Sequence, residues 1–287
     1  MSQYQKENKI LFNRKKLRRS RLRAMNYDIP NFIYEHTAQD LLSRLDEINR
    51  EFKSILILTK NKNFISTKSL TKKIKDPLIV SPISLSNKKA IMIEDEENLP
   101  FQENSFDLIL SDLMLHASNN LKSSLEKIYA LLKPDGLMLC SMFGLETLRE
   151  LRSCLLGAEE QFKEKVYPRI HPFTDIRTAG DILQSSGFKL CVADDTTIKV
   201  PTKDVYQLVK LIRSMGENNY LNIDKPNIPR NIWNKTSELM KDITPGEDGV
   251  MSTFQILTLT GWKYHADQPK PLKPGSAKVS LADFFDK

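Results

Sequence analysis

Two polar side chains suited to proton transfer lie close together in the chain, Asp112 and His116. Both follow the apolar run 108–110, and residues just past a buried strand lie at the sheet edge where open α/β proteins bind ligands. An imidazole there is a candidate base, and a carboxylate can meet a substrate cation. Each also has a plainer interpretation: His116 as a structural histidine, and Asp112 as the cap of the next helix. The catalytic residue is therefore unknown, with these two as candidates.

The segment 104–142 predicts the strand–helix–strand unit that positions these candidates. Apolar residues run over 108–110, recur at helical spacing at 125, 128, 131 and 132, and return over 137–142. The sequence KPDG at 133–136 stops the helix, because proline cannot continue it and glycine suits a turn. A strand that is apolar on both faces belongs in a parallel sheet covered by helices, so this segment predicts a βαβ unit.

Similar patterns predict the remaining elements. Predicted helices cover 31–52, a long stretch beginning at 143, 175–186, 202–214 and 228–242, and predicted strands cover 54–59, 78–80, 90–93, 190–193, 197–200 and 250–259. The strands 190–193 and 197–200 are expected to flank a turn at Asp194 and Asp195. The last strand is expected to close the sheet in the antiparallel sense, beside the strand at 137–142. The Pro/Lys-rich segment after Trp262 cannot form a helix, so we expect it to lie extended on the surface.

The basic charge of the chain is concentrated at its N-terminus. The formal net charge is +7, whereas residues 1–25 carry nine Lys/Arg and one Glu, which leaves the remainder near −1. The stretch 13–25 predicts a solvated helix whose arginines cap carbonyls or meet acidic patches on the body. Contact with an acidic partner, nucleic acid or an anionic lipid surface is the alternative, and a presequence is a third. We expect removal of residues 1–25 to leave the melting temperature nearly unchanged.

Cysteine, histidine and hydropathy patterns exclude several classes of protein. The three cysteines lack pair spacing and the four histidines are scattered, so we expect buried thiols in a reducing compartment and no metal site. No apolar run approaches the roughly 20 residues that a membrane-spanning helix needs. The sequence therefore predicts a soluble protein with no membrane span.

Three motifs between residues 95 and 139 together resemble a known family. FDLILSDLMLH at 106–116 and LLKPDGLML at 131–139, preceded by DEENLPF at 95–101, are similar to strands four and five and the acidic turn of class I S-adenosylmethionine-dependent methyltransferases. The resemblance implies an α/β, Rossmann-like fold with a seven-stranded, mostly parallel sheet, helices on both faces and helical lid insertions. It places a methyltransferase-like domain at 26–262 with a lid at about 202–243, between the basic arm at 1–25 and the extended tail at 263–287 that the charge and composition predict.

The resemblance implies S-adenosylmethionine as cofactor and places its contacts. Asp95 and Glu96 would accept from the adenine amino group after strand three. The backbone near Thr59 and Ser111 would hold the rest of the cofactor at the ends of strands one and four. The plainer interpretation of Asp95 and Glu96 is an ordinary polar turn.

Two positions depart from the family pattern where the cofactor would be held. Ile57 stands where the acid of the E/D-x-G-x-G-x-G motif is expected, and Ser81 stands where an acid would bind both ribose hydroxyls. KNKN at 60–63 fills the turn, and no glycine occurs between Met1 and Leu132. A charge-assisted hydrogen bond is worth about 1.5–3 kcal/mol, so two lost contacts weaken binding roughly 10²–10⁴-fold.

Further segments are similar to a narrower group within that family. GLETLRELR at 144–152, PRIHPF at 168–173, MGENN at 215–219 and the tail QPKPLKPGSA at 268–277 have counterparts in BioC-like methyltransferases, the group that includes the assembly factor of mitochondrial respiratory complex I. The resemblance implies a protein substrate or partner, such as a complex I subunit. It also implies a bacterial cytoplasm, or the mitochondrial matrix in a eukaryote. Because the complex I relative is reported to hydroxylate an arginine, the fold alone does not fix the reaction.

Three functional hypotheses remain open at this point. The first is an S-adenosylmethionine-dependent methyltransferase with an unusual pocket. The second is a methyltransferase-fold protein that has lost the cofactor and acts by binding a partner. The third is a nucleic-acid-binding protein that uses the basic arm, although no aromatic residues are interleaved with its charges.

Overall fold

The computed structural model describes residues 10–27, 32–61, 64, 74–85, 90–93, 95–162, 165–243, the backbone of 245–246, and 249–269. The helices are α1 (Arg14–Ala24), α2 (Phe32–Glu47), α3 (Leu121–Leu131), α4 (Arg149–Phe162), α5 (Ile176–Ser185), α6 (Val205–Ser214) and α7 (Arg230–Ile243), with a single 3-10 turn at Leu115–Ala117. The strands are β1 (Ile55–Thr59), β2 (Leu78–Ser81), β3 (Ala90–Met92), β4 (Phe106–Asp112), β5 (Leu132–Phe143), β6 (Lys189–Thr202), β7 (Pro245–Gly246) and β8 (Gly249–Trp262).

The strands form one sheet in the order β3-β2-β1-β4-β5-β8-β6, with the two-residue β7 paired to β8. Strands β1 to β5 pair in parallel, whereas β8 is antiparallel to β5 and β6. The predicted Rossmann-like fold with its mostly parallel seven-stranded sheet is confirmed, with β7 as a short addition. The strand order reverses between β1 and β4, and open α/β sheets bind ligands beyond the carboxyl ends of the strands at such a point.

Strand β1 is buried along its whole length because helices cover both faces of the sheet. Ile57 packs with Leu41 of α2 on one face. Leu56 packs with Leu125 of α3 on the other. This alternation is the period of two of a strand in a doubly covered sheet. A third apolar cluster joins α4, α6 and α7 to the ends of β5 and β8, so these helices form a lid beside the carboxyl edge of the sheet.

The turn predicted at Asp194 and Asp195 is wrong, because β6 continues through both residues. The carboxylate of Asp194 accepts from both terminal nitrogens of Arg44 at 2.6 and 2.7 Å. Asp195 accepts from the side chain of Gln255 at 2.9 Å. The two carboxylates therefore have partners on neighbouring elements, and β6 pairs with β8 along most of its length.

Two predicted helix boundaries differ from the structure by more than three residues. Helix α2 ends at Glu47 rather than 52, since the chain turns there to enter β1. Phe52 is still buried, in the loop before β1, with the Arg50 guanidinium 5.4 Å from its ring centre. Helix α4 begins at Arg149 rather than near 143, because β5 runs on to Phe143.

Residues 10–25 pack against the body of the protein. Phe12, Leu17 and Arg21 are all buried, and the Phe12 ring lies edge-on to Tyr220 at 5.2 Å between ring centres. Asn13 caps α1 by accepting from the backbone N–H of Lys16 at 3.0 Å. The segment is therefore a docked helix with a buried face, and only its outer face is solvated.

Among the described residues, every helix is too short or too polar to cross a bilayer. The predicted extended tail lies mostly outside the described residues, which end at 269. The division of the chain into arm, domain and tail remains a prediction.

Candidate functional site

Asp112 lies where the strand order reverses, and three hydroxyl groups surround its carboxylate. Its register partner is Thr59, so the two residues end β4 and β1 side by side. Thr37, Thr59 and Ser141 donate to the carboxylate at 2.7, 3.1 and 3.3 Å. Burial raises the pKa of Asp112 to about 6, although the three donors pull it down. At pH 7 the carboxylate is mostly ionised and is tied to α2, β1 and β5.

Three further predicted positions are buried within the sheet. Ile57 lies in the core under α2, and Ser111 lies in register with Cys140 of β5. Ser81 ends β2, where its hydroxyl accepts from the backbone N–H of Ile83 at 3.3 Å. Because none of these side chains carries a charge, none supplies the acid expected at the ends of β1 and β2. Their cofactor roles remain predictions.

Asp95 and Glu96 follow β3, and both are bound by arginines of α1. Arg21 donates to the two carboxylate oxygens of Glu96 at 2.9 and 3.1 Å, and Arg14 donates to Glu96 at 2.6 Å and to Asp95 at 3.0 Å. Arg21 is 2% exposed and Glu96 is 4% exposed. Burial alone would raise the pKa of Glu96, but the charges of Arg21 and Arg14 lower it to about 2. We call these four residues the α1 ion-pair cluster.

A second buried polar cluster forms around Glu217, in the loop after α6. Its carboxylate is contacted by the ammonium of Lys60, which directly follows β1. The other oxygen lies 3.1 Å from His116 Nε2 and accepts from the Tyr220 hydroxyl at 3.3 Å. Burial and then the charge of Lys60 lower the pKa of His116 well below its ordinary value, so its ring is neutral at pH 7. The sequence candidate His116 therefore faces a carboxylate that already has other partners. Its catalytic role remains a prediction.

The turn after β1 is built from side chains where the family has glycine. Lys60 and Asn61 are each 6% exposed. The Asn61 side chain donates to the backbone carbonyl of Tyr34 at 3.2 Å, and its backbone N–H donates to Thr59 Oγ1 at 3.0 Å. Residues 62 and 63 of the predicted turn lie outside the described residues. The end of β1 is thus occupied by two side chains that are buried and hydrogen-bonded.

Sequence reasoning missed four residues of these two clusters: Arg14, Arg21, Tyr220 and the role of Glu217. Arg21 is one of seven Lys/Arg within 13–25, and nothing in the sequence singles it out. Glu217 was visible only as part of the MGENN segment at 215–219. Leu17, Ser20 and Arg21 share the buried face of α1, but one leucine among seven cations does not mark that face in the sequence.

A cavity of about 610 Å³ lies next to these clusters, between the ends of β5 and β8 and the lid. Its wall is partly apolar, with Phe143, Leu151, Phe173, Ile212 and Trp233 among the lining residues. Its remaining lining is mostly polar or cationic, and Glu217 connects it to the buried cluster behind it. The sheet edge therefore has a filled part at β1 and β3 and a hollow part at β5 and β8.

Comparisons with known proteins identify similar chains. The sequence profile described as "Methyltransferase domain" matches residues 72–140. Arginine-hydroxylase NDUFAF5, mitochondrial, of Danio rerio is 34% identical over 274 residues, which cover 92% of this chain and 84% of that protein. The protein of the same name from Homo sapiens is 38% identical over 193 residues, which cover 67% of this chain and 56% of that protein. In structure, the YcgJ protein of Bacillus subtilis has a TM-score of 0.54 at 11% identity, over 81% of this chain and 100% of that one, which supports the fold alone.

Proposed function

The chain belongs to the class I methyltransferase-fold family that includes the NDUFAF5 proteins, and from this premise we propose that it acts by binding a protein partner rather than by transferring a methyl group. The partner we propose is a subunit of respiratory complex I during its assembly, in line with the family resemblance. Both NDUFAF5 relatives are named as mitochondrial proteins. We therefore propose the mitochondrial matrix as its location in a eukaryote, and the cytoplasm in a bacterium.

The observation that carries this proposal is the α1 ion-pair cluster. Asp95 and Glu96 are the acceptors expected for the adenine amino group, yet Arg14 already binds both of them and Arg21 also binds Glu96. Releasing a buried carboxylate from its partner costs about 3–5 kcal/mol, which would weaken ligand binding by roughly 10²–10⁴-fold. The α1 ion-pair cluster thus competes directly with the cofactor contact that the family would use.

The side chains at the end of β1 support the same proposal. Where the family motif has glycine, which lets backbone amides approach the cofactor, Lys60 and Asn61 are each 6% exposed and are bound to partners within the protein. These buried side chains fill the turn against which the cofactor would lie. The residues present therefore do not fit this cofactor, and we propose no reaction step that passes through it. The partner-binding function does not require it.

The direct test is isothermal titration of the full chain with S-adenosylmethionine and with S-adenosylhomocysteine. We expect no binding heat with either ligand up to about 1 mM, where even a weak site would register. Binding with a dissociation constant in the low micromolar range would overturn the proposal. The thermal unfolding midpoint, measured with and without about 1 mM ligand, gives an independent readout, because a ligand that binds only the folded state raises this midpoint.

A second function, hydroxylation of an arginine in the partner, is favoured by the 34% identity to a protein named as an arginine hydroxylase. Deleting the gene for this chain in its own organism separates the two functions. We expect assembled complex I to be lost on native gels after the deletion and to return with the wild-type gene. We expect mass spectrometry to find no hydroxyarginine in the complex I subunits. Hydroxyarginine that disappears in the deletion and returns with the gene would establish the hydroxylase instead.

A further inference from the structure

The cavity between the sheet and the lid combines an apolar wall with a cationic rim. Its charged lining residues are four cations and one carboxylate: Arg23, Arg169, Arg213, Lys225 and Glu217. The carboxylate is engaged by Lys60 and His116 behind the cavity wall. The cavity therefore presents a net positive charge to anything that enters it.

Two of the four cations are free to bind an anion. Arg169 is not one of them, since its guanidinium is paired with Glu159 and donates to the carbonyl of Pro226 at 2.7 Å. Arg23 and Arg213 are exposed, and neither forms an ion pair within the described part of the chain. An arginine without a protein carboxylate presents a planar donor fork that suits a ligand carboxylate.

Lys225 lies among positive charges, so an anion bound beside it would be favourable. It is half-buried, and among the described residues its ammonium has only a long hydrogen bond to the carbonyl of Pro168 at 3.4 Å. Burial, together with the positive charges of Arg169 and Lys16, lowers the pKa of Lys225 to about 8. A carboxylate beside Lys225 would remove this mutual repulsion.

The rim also carries groups that pair with a peptide backbone. The side-chain amides of Asn218 and Asn227 line the cavity and have no hydrogen-bond partner among the described residues. An amide offers both a donor and an acceptor, as a peptide bond does. The hydrocarbon of an acyl chain would leave both amides unpaired, so these groups favour a peptide.

We propose that this cavity binds an acidic peptide segment of a partner protein, with a carboxylate at the Arg23–Arg213 rim and a bulky apolar side chain against the wall near Leu151 and Trp233. The inference rests on the proposed partner-binding function and gives that partner a recognisable chemistry. A cavity of about 610 Å³ is of the size that holds an anchoring side chain and its neighbours.

The first test uses two dyes of matched shape. Anilinonaphthalene sulfonate is an apolar anion, and N-phenylnaphthylamine is its uncharged counterpart. We expect the anion to bind the full chain at least about tenfold more tightly, and Arg213→Glu to weaken the anion about tenfold while leaving the uncharged dye unchanged. Lys210→Glu is the matched control, because Lys210 is exposed on the same helix and does not line the cavity. Equal affinity for the two dyes, or equal weakening by the two variants, would overturn the proposal.

The second test identifies the source of the anion. A random heptapeptide phage library is selected on the full chain, and we expect enriched sequences to pair Asp or Glu with Phe, Leu or Trp. A synthetic enriched peptide should displace the anionic dye, and its Asn/Gln counterpart should do so about tenfold less well. Displacement by dodecanoate but by no enriched peptide would overturn the peptide assignment, as would enrichment of basic sequences. Neither test involves S-adenosylmethionine, so failure here is distinguishable from failure of the proposed function.

Discussion

The two parts of the carboxyl edge of the sheet differ in what fills them. At the ends of β1 and β3, the side chains of Lys60 and Glu96 are buried and have charged partners within the protein. At the ends of β5 and β8, a cavity of about 610 Å³ remains, with Arg23 and Arg213 exposed at its rim. The first part is closed by ion pairs within the protein, whereas the second part is an open cavity.

The proposed loss of the cofactor requires no change in the architecture of the fold. Strand pairing and core packing depend on residues such as Leu56 and Ile57, which face the covering helices and not the edge. The edge residues are free to change because loops there do not carry the core. In our proposal, an ion pair such as Arg21–Glu96 takes the place of the contacts that the cofactor makes in the family.

The largest effect is expected from removing residues 1–25, which include Arg14 and Arg21, the arginines that bind Glu96 in the filled part. The truncation exposes the surfaces that Phe12 and Leu17 cover and leaves Glu96 without Arg21. Burial of the two apolar side chains and loss of the buried pair together predict roughly 6–11 kcal/mol of destabilisation. The measurement is urea unfolding of the truncated and the full chain, followed by circular dichroism.

The control for the truncation is Lys15→Ala/Arg19→Ala, which removes two charges from the exposed face of α1. This double variant is expected to change the free energy of unfolding by less than about 0.5 kcal/mol. A truncated chain with an unchanged melting temperature, as the sequence alone led us to expect, would contradict the docked helix.

The next largest effect is expected from Glu96→Gln, which removes the charge at the centre of the filled part. The guanidinium of Arg21 would then be buried beside a neutral amide, and breaking a buried pair in this way costs about 3–5 kcal/mol. Glu126→Gln makes the same substitution at an exposed position of α3 and should cost less than about 0.5 kcal/mol. Equal free energies of unfolding for the two variants would show that the α1 ion-pair cluster does not hold α1 in place.

Much of the sheet was predictable from sequence because its strands are apolar on both faces. The segment 104–142 predicted β4, α3 and β5 in the right order, since its apolar runs and its KPDG turn leave few alternatives. The late strands were less predictable. Asp194 and Asp195 are typical of a turn, and only the positions of Arg44 and Gln255 in three dimensions explain why the strand continues through them.

The candidate site was predictable only in part. Asp95 and Glu96 were identified as acceptors at the end of β3, but the sequence could not show what they accept from. Seven Lys/Arg within 13–25 leave the buried face of the helix undetermined, because its large apolar residues Leu17, Leu22 and Met25 do not share one face. The partner of Glu96 is thus fixed by tertiary packing, which a local pattern does not encode.

A smaller effect, with a defined pH dependence, is expected from His171 in the cavity wall. Burial lowers the pKa of His171 to about 4 from its ordinary 6.5, so between these values the unfolded chain binds a proton that the folded chain does not. Stability that is present above pH 6.5 is therefore lost as the pH falls to 4, by up to roughly 3 kcal/mol. His171→Phe keeps the aromatic packing on Tyr220 and should remove this loss.

The matched comparison for His171 lies in the filled part, at Asp112. Its pKa is raised by burial to about 6 from 3.8, so its contribution has the opposite sign: stability falls as the pH rises through that interval. Asp112→Asn should therefore steepen the loss on acidification that His171→Phe makes shallower. Urea unfolding at several pH values between 4 and 7 measures how the free energy of unfolding depends on pH in both variants. If both variants changed the slope of this dependence in the same direction relative to the wild type, the assignment of the two groups would be contradicted.

The smallest effect is expected from replacing the Lys60–Glu217 pair as a whole by Lys60→Met/Glu217→Gln. A buried ion pair gains in attraction about what it loses in desolvation, so an uncharged pair of similar volume should change the free energy of unfolding by less than about 1 kcal/mol or raise it. The single variant Lys60→Met should be less stable than the double variant, because it leaves the Glu217 carboxylate buried with only His116 and Tyr220 as partners. If so, the filled part is held by the α1 ion-pair cluster, and Lys60 occupies the end of β1 without stabilising it. If the double variant were less stable than Glu96→Gln, the order of these two effects would be reversed, and Lys60 would be the residue that stabilises the filled part.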